Sequence, residues 1–234
     1  MVIYHSRSHL FGTLAVVAAP FFFLLGFARF TEIAITRLLL NVLISSWRVV
    51  VAYLFAAAGA WLLAVLFYRG RRANVALPVF DVLQSFPTSA ALPLAIHFWG
   101  PSNSTTIFFL VITIIWPILF SVLSSLKLIK HEWEEVVIIT RLSGWEYLRR
   151  FLWPVSVPGL VTGSIVGLGN GWEALVATEI IVGNPNGLGT FFQTYAHDVT
   201  TTTLGILGFL VLVFSVNKIV WLPLLEWSHH ETEE

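Results

Sequence analysis

Residues 82–126 read VLQSFPTSAALPLAIHFWGPSNSTTIFFLVITIIWPILFSVLSSL, 45 positions without a single Asp, Glu, Lys or Arg. A helix that crosses a bilayer needs about 20 mainly apolar residues, so this run is long enough for two. The turn composition Gly100-Pro101-Ser102-Asn103-Ser104 divides it. Uncharged windows recur at Ser8–Ala28, Val49–Tyr68, Phe151–Trp172 and Val199–Asn217. Together they predict six spans, at 10–28, 44–68, 79–99, 105–127, 155–181 and 202–223. In hydrocarbon an unpaired backbone group costs several kcal/mol, so each span must be helical. The predicted fold is all-α and polytopic, one transmembrane domain over residues 1–234. The first window has features of a signal peptide, but its apolar run is long for one, and an uncleaved helix is expected.

Composition agrees with that reading. Apolar types make up 57% of the chain and charged types 11%, against roughly 25% charged in an average soluble domain. This excludes a disordered chain, an ordinary soluble enzyme and a basic nucleic-acid binder. Without cysteine there is no thiol nucleophile, disulfide or thiolate metal site. Thirteen bases balance thirteen acids, but their placement is uneven. Six spans put Arg7, Arg69, Arg71, Arg72, Lys127, Lys130, Arg141, Arg149, Arg150 and Lys218 on one side. Only Arg29, Arg37 and Arg48 fall on the other. The positive-inside rule then predicts a plasma-membrane protein with both termini cytoplasmic and 128–153 as the largest cytoplasmic connection.

That connection continues as HEWEEVVIITRLSGWEYLRRFLWP over 131–154. Two short amphipathic helices are expected, with a turn at Ser143-Gly144. Ser143 and Glu146 have the spacing of a capping box. Trp145, Leu148 and Leu152 share one face of the second helix. Pro154 is expected to end the cytoplasmic piece. Taken alone, the segment also suits an interfacial helix pair lying on lipid headgroups.

The segment resembles the EAA loop of permeases of binding-protein-dependent ABC importers. Matching through Trp145, Arg149-Arg150 and Pro154-Val155-Ser156-Val157-Pro158-Gly159 puts Glu135 on the family's glutamate. Val136 and Val137 stand where the family has alanines, and Arg141 where it has glycine. The likeness extends to Phe86-Pro87-Thr88-Ser89 through Gly100, to Ser45-Ser46-Trp47-Arg48, and to Gly169–Gly183 with Gly187-Leu188-Gly189. These are similar to the nitrate/sulfonate/taurine subfamily over 44–225. The resemblance implies a type I importer permease that works with an ABC ATPase subunit, a second permease copy and an extracytoplasmic substrate-binding protein in the lipid bilayer. It implies a small anionic or zwitterionic solute. It implies no cofactor in this chain, with ATP and magnesium on the ATPase. Its loop residues would carry the ATPase contact: Glu135, Arg141, Ser143, Gly144, Trp145, Leu148, Arg149 and Arg150.

Inside the membrane, Gly159, Gly163, Gly167 and Gly171 repeat every four residues. Such a groove admits a close neighbouring helix, either within the chain or at a subunit interface. Pro87 and Pro93 favour kinks, which makes Phe86, Thr88 and Ser89 pathway candidates. Glu173 joins them as an intramembrane acid. Glu179 is expected to bond the 183–190 turn, Asp81 to face the cytoplasm and His97 to sit in the core. Lys127, Lys130 and Lys218 follow Leu126, Ile129 and Asn217, so no GxxxxGK[ST] phosphate loop exists. His131-Glu132 lacks the second histidine of HExxH, and no metal site is expected. Two readings remain: an importer permease, or a non-transporting membrane assembly protein that binds a partner through 131–153.

Overall fold

The computed structural model describes residues 35–221 and, before them, residues 18, 19, 22, 23, 25–27 and 29–31. Most of the expected first span and the end of the sixth therefore lie outside the described residues. The helices are α1 (Ile35–Phe67), α2 (Gly70–Gln84), α3 (Thr88–Trp99), α4 (Asn103–Lys127), α5 (His131–Ile139), α6 (Gly144–Tyr147), α7 (Trp153–Val182), α8 (Leu188–Thr194) and α9 (Val199–Val216). Two π-helical pieces, Leu148–Leu152 and Asn217–Trp221, extend α6 and α9.

Helices α1, α4, the α6–α7 rod and α9 are long and apolar enough to cross a membrane. The core lies where α4 packs between α1 and α7. Leu110, Ile114, Ile118, Leu119 and Val122 of α4 are wholly buried there, against Ala52, Ala56, Ala60 and Ala64 of α1. Alanine every four residues lets α1 approach closely, and the branched side chains of α4 fill the space.

The third span, expected over 79–99 with kinks at Pro87 and Pro93, is more sharply broken and begins earlier. It is two helices, α2 and α3, bent by 82°. Proline lacks an N–H and biases the residue before it away from helical geometry, so Pro87 stops the ladder. The N–H groups of Ser85 and Phe86 close α2 onto Val82 and Leu83, and those of Ala90 and Ala91 start α3 on Pro87. Pro93, by contrast, is carried inside α3. Phe80 of α2 meets Phe67 of α1, whereas Leu92 of α3 packs with Phe109 and Val182. The two halves thus reach opposite ends of the bundle, as one broken span. Asp81, near the end of α2, is exposed and lines a cleft together with Thr113 and Ser121 of α4.

Asn103–Lys127 is capped by the Ser102 hydroxyl, which accepts from the Thr105 N–H at 3.2 Å. Asp198 caps α9 in the same way, and hydrogen bonds from the Thr201 hydroxyl and backbone hold its carboxyl below the usual carboxylate range.

Candidate functional site

Residues 128–153 form a projecting helical hairpin at one end of the bundle. Its chain reverses at Thr140–Gly144. Arg141 has φ +53° and Gly144 φ +57°, and Arg141 is the only non-glycine with positive φ among the described residues. The left-handed turn is therefore made by an arginine as well as by Gly144. Ser143 has the extended backbone of an N-cap, but its side chain makes no capping bond. The expected capping box is absent. Glu146 instead pairs with Arg150 at 3.6 Å, both side chains being largely exposed, which is worth little in stability.

The hairpin presents apolar side chains outward. Val136 is 56% exposed, Ile138 72%, Ile139 78% and Trp145 72%. Glu135, Arg141, Arg149 and Arg150 are exposed beside them. Leu148 is not among them: it is half-buried against the chain's own core, as is Phe151, and Leu152 is fully buried. Pro154 does not end the segment. A π-helical turn over Leu148–Leu152 carries α6 directly into α7, and the wider turn comes immediately before the proline, where the ladder loses an N–H. The second arm of the hairpin and the fifth span are thereby one rod, Gly144–Val182. A second tie joins the Tyr147 and Tyr68 hydroxyls at 2.9 Å, just beyond the end of α1. Trp61 Nε1 donates to Ser156 Oγ at 3.1 Å, fixing α1 to α7 about two turns further in.

The four periodic glycines face α4 of the same chain. A Cβ on Gly159 would lie 2.6 Å from the Ser121 carbonyl oxygen, and one on Gly163 2.6 Å from Ile118 Cα. On Gly167 it would meet the Ile114 carbonyl at 3.0 Å, and on Gly171 the Ile114 side chain at 2.7 Å. The groove is filled from within the chain, the first of the two readings of these glycines.

At the opposite end of the bundle, a buried polar network joins three elements that the sequence keeps apart. Glu179 is wholly buried and Arg48 is 2% exposed. Glu179 Oε1 accepts from Arg48 Nη1 at 2.5 Å and from Ser45 Oγ at 2.8 Å, and its Oε2 accepts from the Gly189 N–H at 2.8 Å. Arg48 also donates to Asn103 Oδ1 at 3.0 and 2.7 Å and to the Asn186 carbonyl at 2.8 Å. Gly187, at φ +140°, has its Cβ position within 2.5 Å of Glu179 Oε2, so Gly187-Leu188-Gly189 is the cradle over that carboxylate. Glu179 bonds the turn and is not solvated. Arg48 and Asn103 line an open cleft of about 770 Å³ with Trp47, Pro101, Asn184 and Asn186. Four of the guanidinium's five N–H groups go to protein acceptors, which fixes its position in the wall of that cleft. The sequence reading missed Arg48 as the partner of Glu179, although it placed both at this end.

Phe86 and Thr88 line a second cleft, of about 650 Å³, with Asp81, Thr113, Ser121 and Asn170. Ser89 is outside it. Glu173 lies on the exposed face of α7 that Asn170 shares. His97 is exposed on α3, against Phe98, not in the core. No group of three or more metal-ligating side chains occurs among the described residues.

Residues 55–220 match the family described as binding-protein-dependent transport system inner membrane component. The nitrate import permease protein NrtB of Leptolyngbya laminosa is 34% identical over 62% of this chain and 52% of its own length. The bicarbonate transport system permease protein CmpB of Synechococcus elongatus is 27% identical over 70% of this chain and 62% of its own. The taurine transport system permease protein TauC of Escherichia coli is 30% identical over 53% of this chain and 45% of its own. The chain spans about half the length of the curated relatives it matches.

Proposed function

This chain belongs to the family of binding-protein-dependent transport system inner membrane components, and from that premise we propose that it is the transmembrane permease subunit of an ABC importer. Its work is mechanical. A separate ATPase subunit hydrolyses ATP, an extracytoplasmic binding protein delivers the solute, and two permease copies form the passage. The hairpin end is cytoplasmic in this reading, which the excess of bases there supports. The relatives handle nitrate, bicarbonate or taurine by name, so the solute class is a small anion or zwitterion.

One observation carries the reading. The hairpin holds apolar side chains out of the bundle, and its second arm, which carries Trp145, is joined without a break to α7. A partner that grips Ile138, Ile139 and Trp145 moves a membrane span by a rigid lever. Glu135, Arg149 and Arg150 surround that apolar patch with charge. Trp145→Glu is expected to abolish co-purification of the ATPase while the permease still inserts in the membrane, and Glu135→Ala to weaken it. Undiminished association of both variants contradicts the proposal.

A further inference from the structure

The exposed residues of α7 between its two ends form a single stripe: Thr162, Val166, Gly169, Asn170, Glu173, Ala177 and Ile181. Three of these are polar and two are small. The exposed face of α1 is of another kind, with Val50, Leu54, Phe55, Leu62 and Leu66 in succession. α9 likewise exposes Ile206, Leu207, Leu210 and Phe214. Those faces suit lipid; the α7 stripe does not. Glu173 stands nine residues before the end of α7, about 14 Å along it at 1.5 Å per residue. It has no ion pair or hydrogen bond among the described residues. An acid at such depth costs roughly 2.5–3.5 kcal/mol against lipid and in membrane proteins faces protein or a water-filled cavity. Gly169 and Ala177 leave room for a second helix to come close. Asn170, three residues from Glu173, is also part of the wall of the cleft with Asp81, Gln84, Thr113 and Ser121. That wall contains no lysine or arginine.

We propose that this stripe meets the same stripe of a second copy across a solute path, and that Glu173 makes the path selective for a solute bearing a positively charged group. The proposal rests on the permease reading and narrows it. Two-fold symmetry brings two Glu173 carboxyl groups to the passage, with Asp81 in its side wall. A bare inorganic anion gains nothing from such a lining and is repelled by it. A zwitterion with an ammonium group is drawn in, because a cleft lined by one sign of charge raises the local concentration of the opposite one by tenfold or more.

The test exploits a chain without cysteine. Ala177→Cys, one turn beyond Glu173, and Leu54→Cys on the lipid face are made in the full chain, co-expressed with its ATPase. Each is treated with a trimethylammonium and a sulfonate methanethiosulfonate reagent, with rates normalised to a free thiol in water. At position 177 the cationic reagent is expected to react about tenfold faster. Adding Glu173→Gln should remove that preference, position 54 should react with neither, and a bifunctional methanethiosulfonate reagent that spans the passage should link two copies through position 177. Equal or anion-favoured labelling at 177, or no labelling there at all, overturns the selectivity. Failure to link copies overturns the placement of the stripe. A chain that never associates with an ATPase defeats the permease reading instead, which the same preparation reports separately.

Discussion

Arg141 occupies the left-handed region, where a Cβ crowds the following carbonyl and costs about 1–2 kcal/mol; its φ is +53°. Arg141→Gly should therefore raise the unfolding midpoint of the purified chain, and Arg141→Val, with a branched Cβ, should lower it. Both are read by thermal unfolding in detergent. The Arg48–Glu179 pair answers to a different term. Its two charges are desolvated and mutually satisfied, so removing either one strands the other. Glu179→Gln is expected to cost about 3–5 kcal/mol, whereas combining it with Arg48→Met should cost less than the sum of the two single changes. Strict additivity in denaturation experiments would contradict the pairing. The sequence displays both residues at the same end of the bundle, but 131 positions separate them. Their contact depends on how α1 and α7 pack, which no local pattern records. Ser143 fails in the opposite sense. Its spacing to Glu146 fits a capping box, but Arg150 lies one helical turn beyond Glu146 and takes the carboxylate.

At the scale of elements, glycine spacing announces a groove and leaves its occupant open. The occupant is α4, whose backbone at Ser121 and Ile118 comes within 2.6 Å of where Cβ atoms would be. Gly163→Ala should thus destabilise the isolated chain by about 1–3 kcal/mol, although alanine is the better helix former by up to about 1 kcal/mol. Gly169→Ala, with nothing within 4 Å, should show that helix gain alone. Equal effects at the two positions would mean that α4 does not fill the groove. The broken third span is legible in part. Pro87 and Pro93 both signal a kink, but only Pro87 breaks the helix. The size of the bend follows from where α2 and α3 find packing, at Phe67 for one and at Phe109 and Val182 for the other. Pro154 misleads for a related reason: the π-helical turn before it absorbs the lost hydrogen bond, and the hairpin stays continuous with α7.

The whole molecule is organised by its two ends. One end is locked by a buried charge network that ties α1, α4 and α7 to the turn at 183–189. The other projects a hairpin whose outward face is apolar. An apolar, exposed lever on a bundle locked at its far end is suited to transmitting force, and it requires a partner to apply that force. The sequence states the membrane class, most of the described spans and the exposed segment at 128–153 directly, because each depends on runs of residue type. The residues that hold the bundle together are not stated there, because they depend on distant contacts. Placing a photo-crosslinking amino acid at Trp145 in cells that also make the ATPase addresses the partner directly. Light-dependent formation of a covalent adduct between this chain and the ATPase subunit is the expected result. Adducts confined to lipid, or to a protein without nucleotide-binding activity, would contradict the permease function.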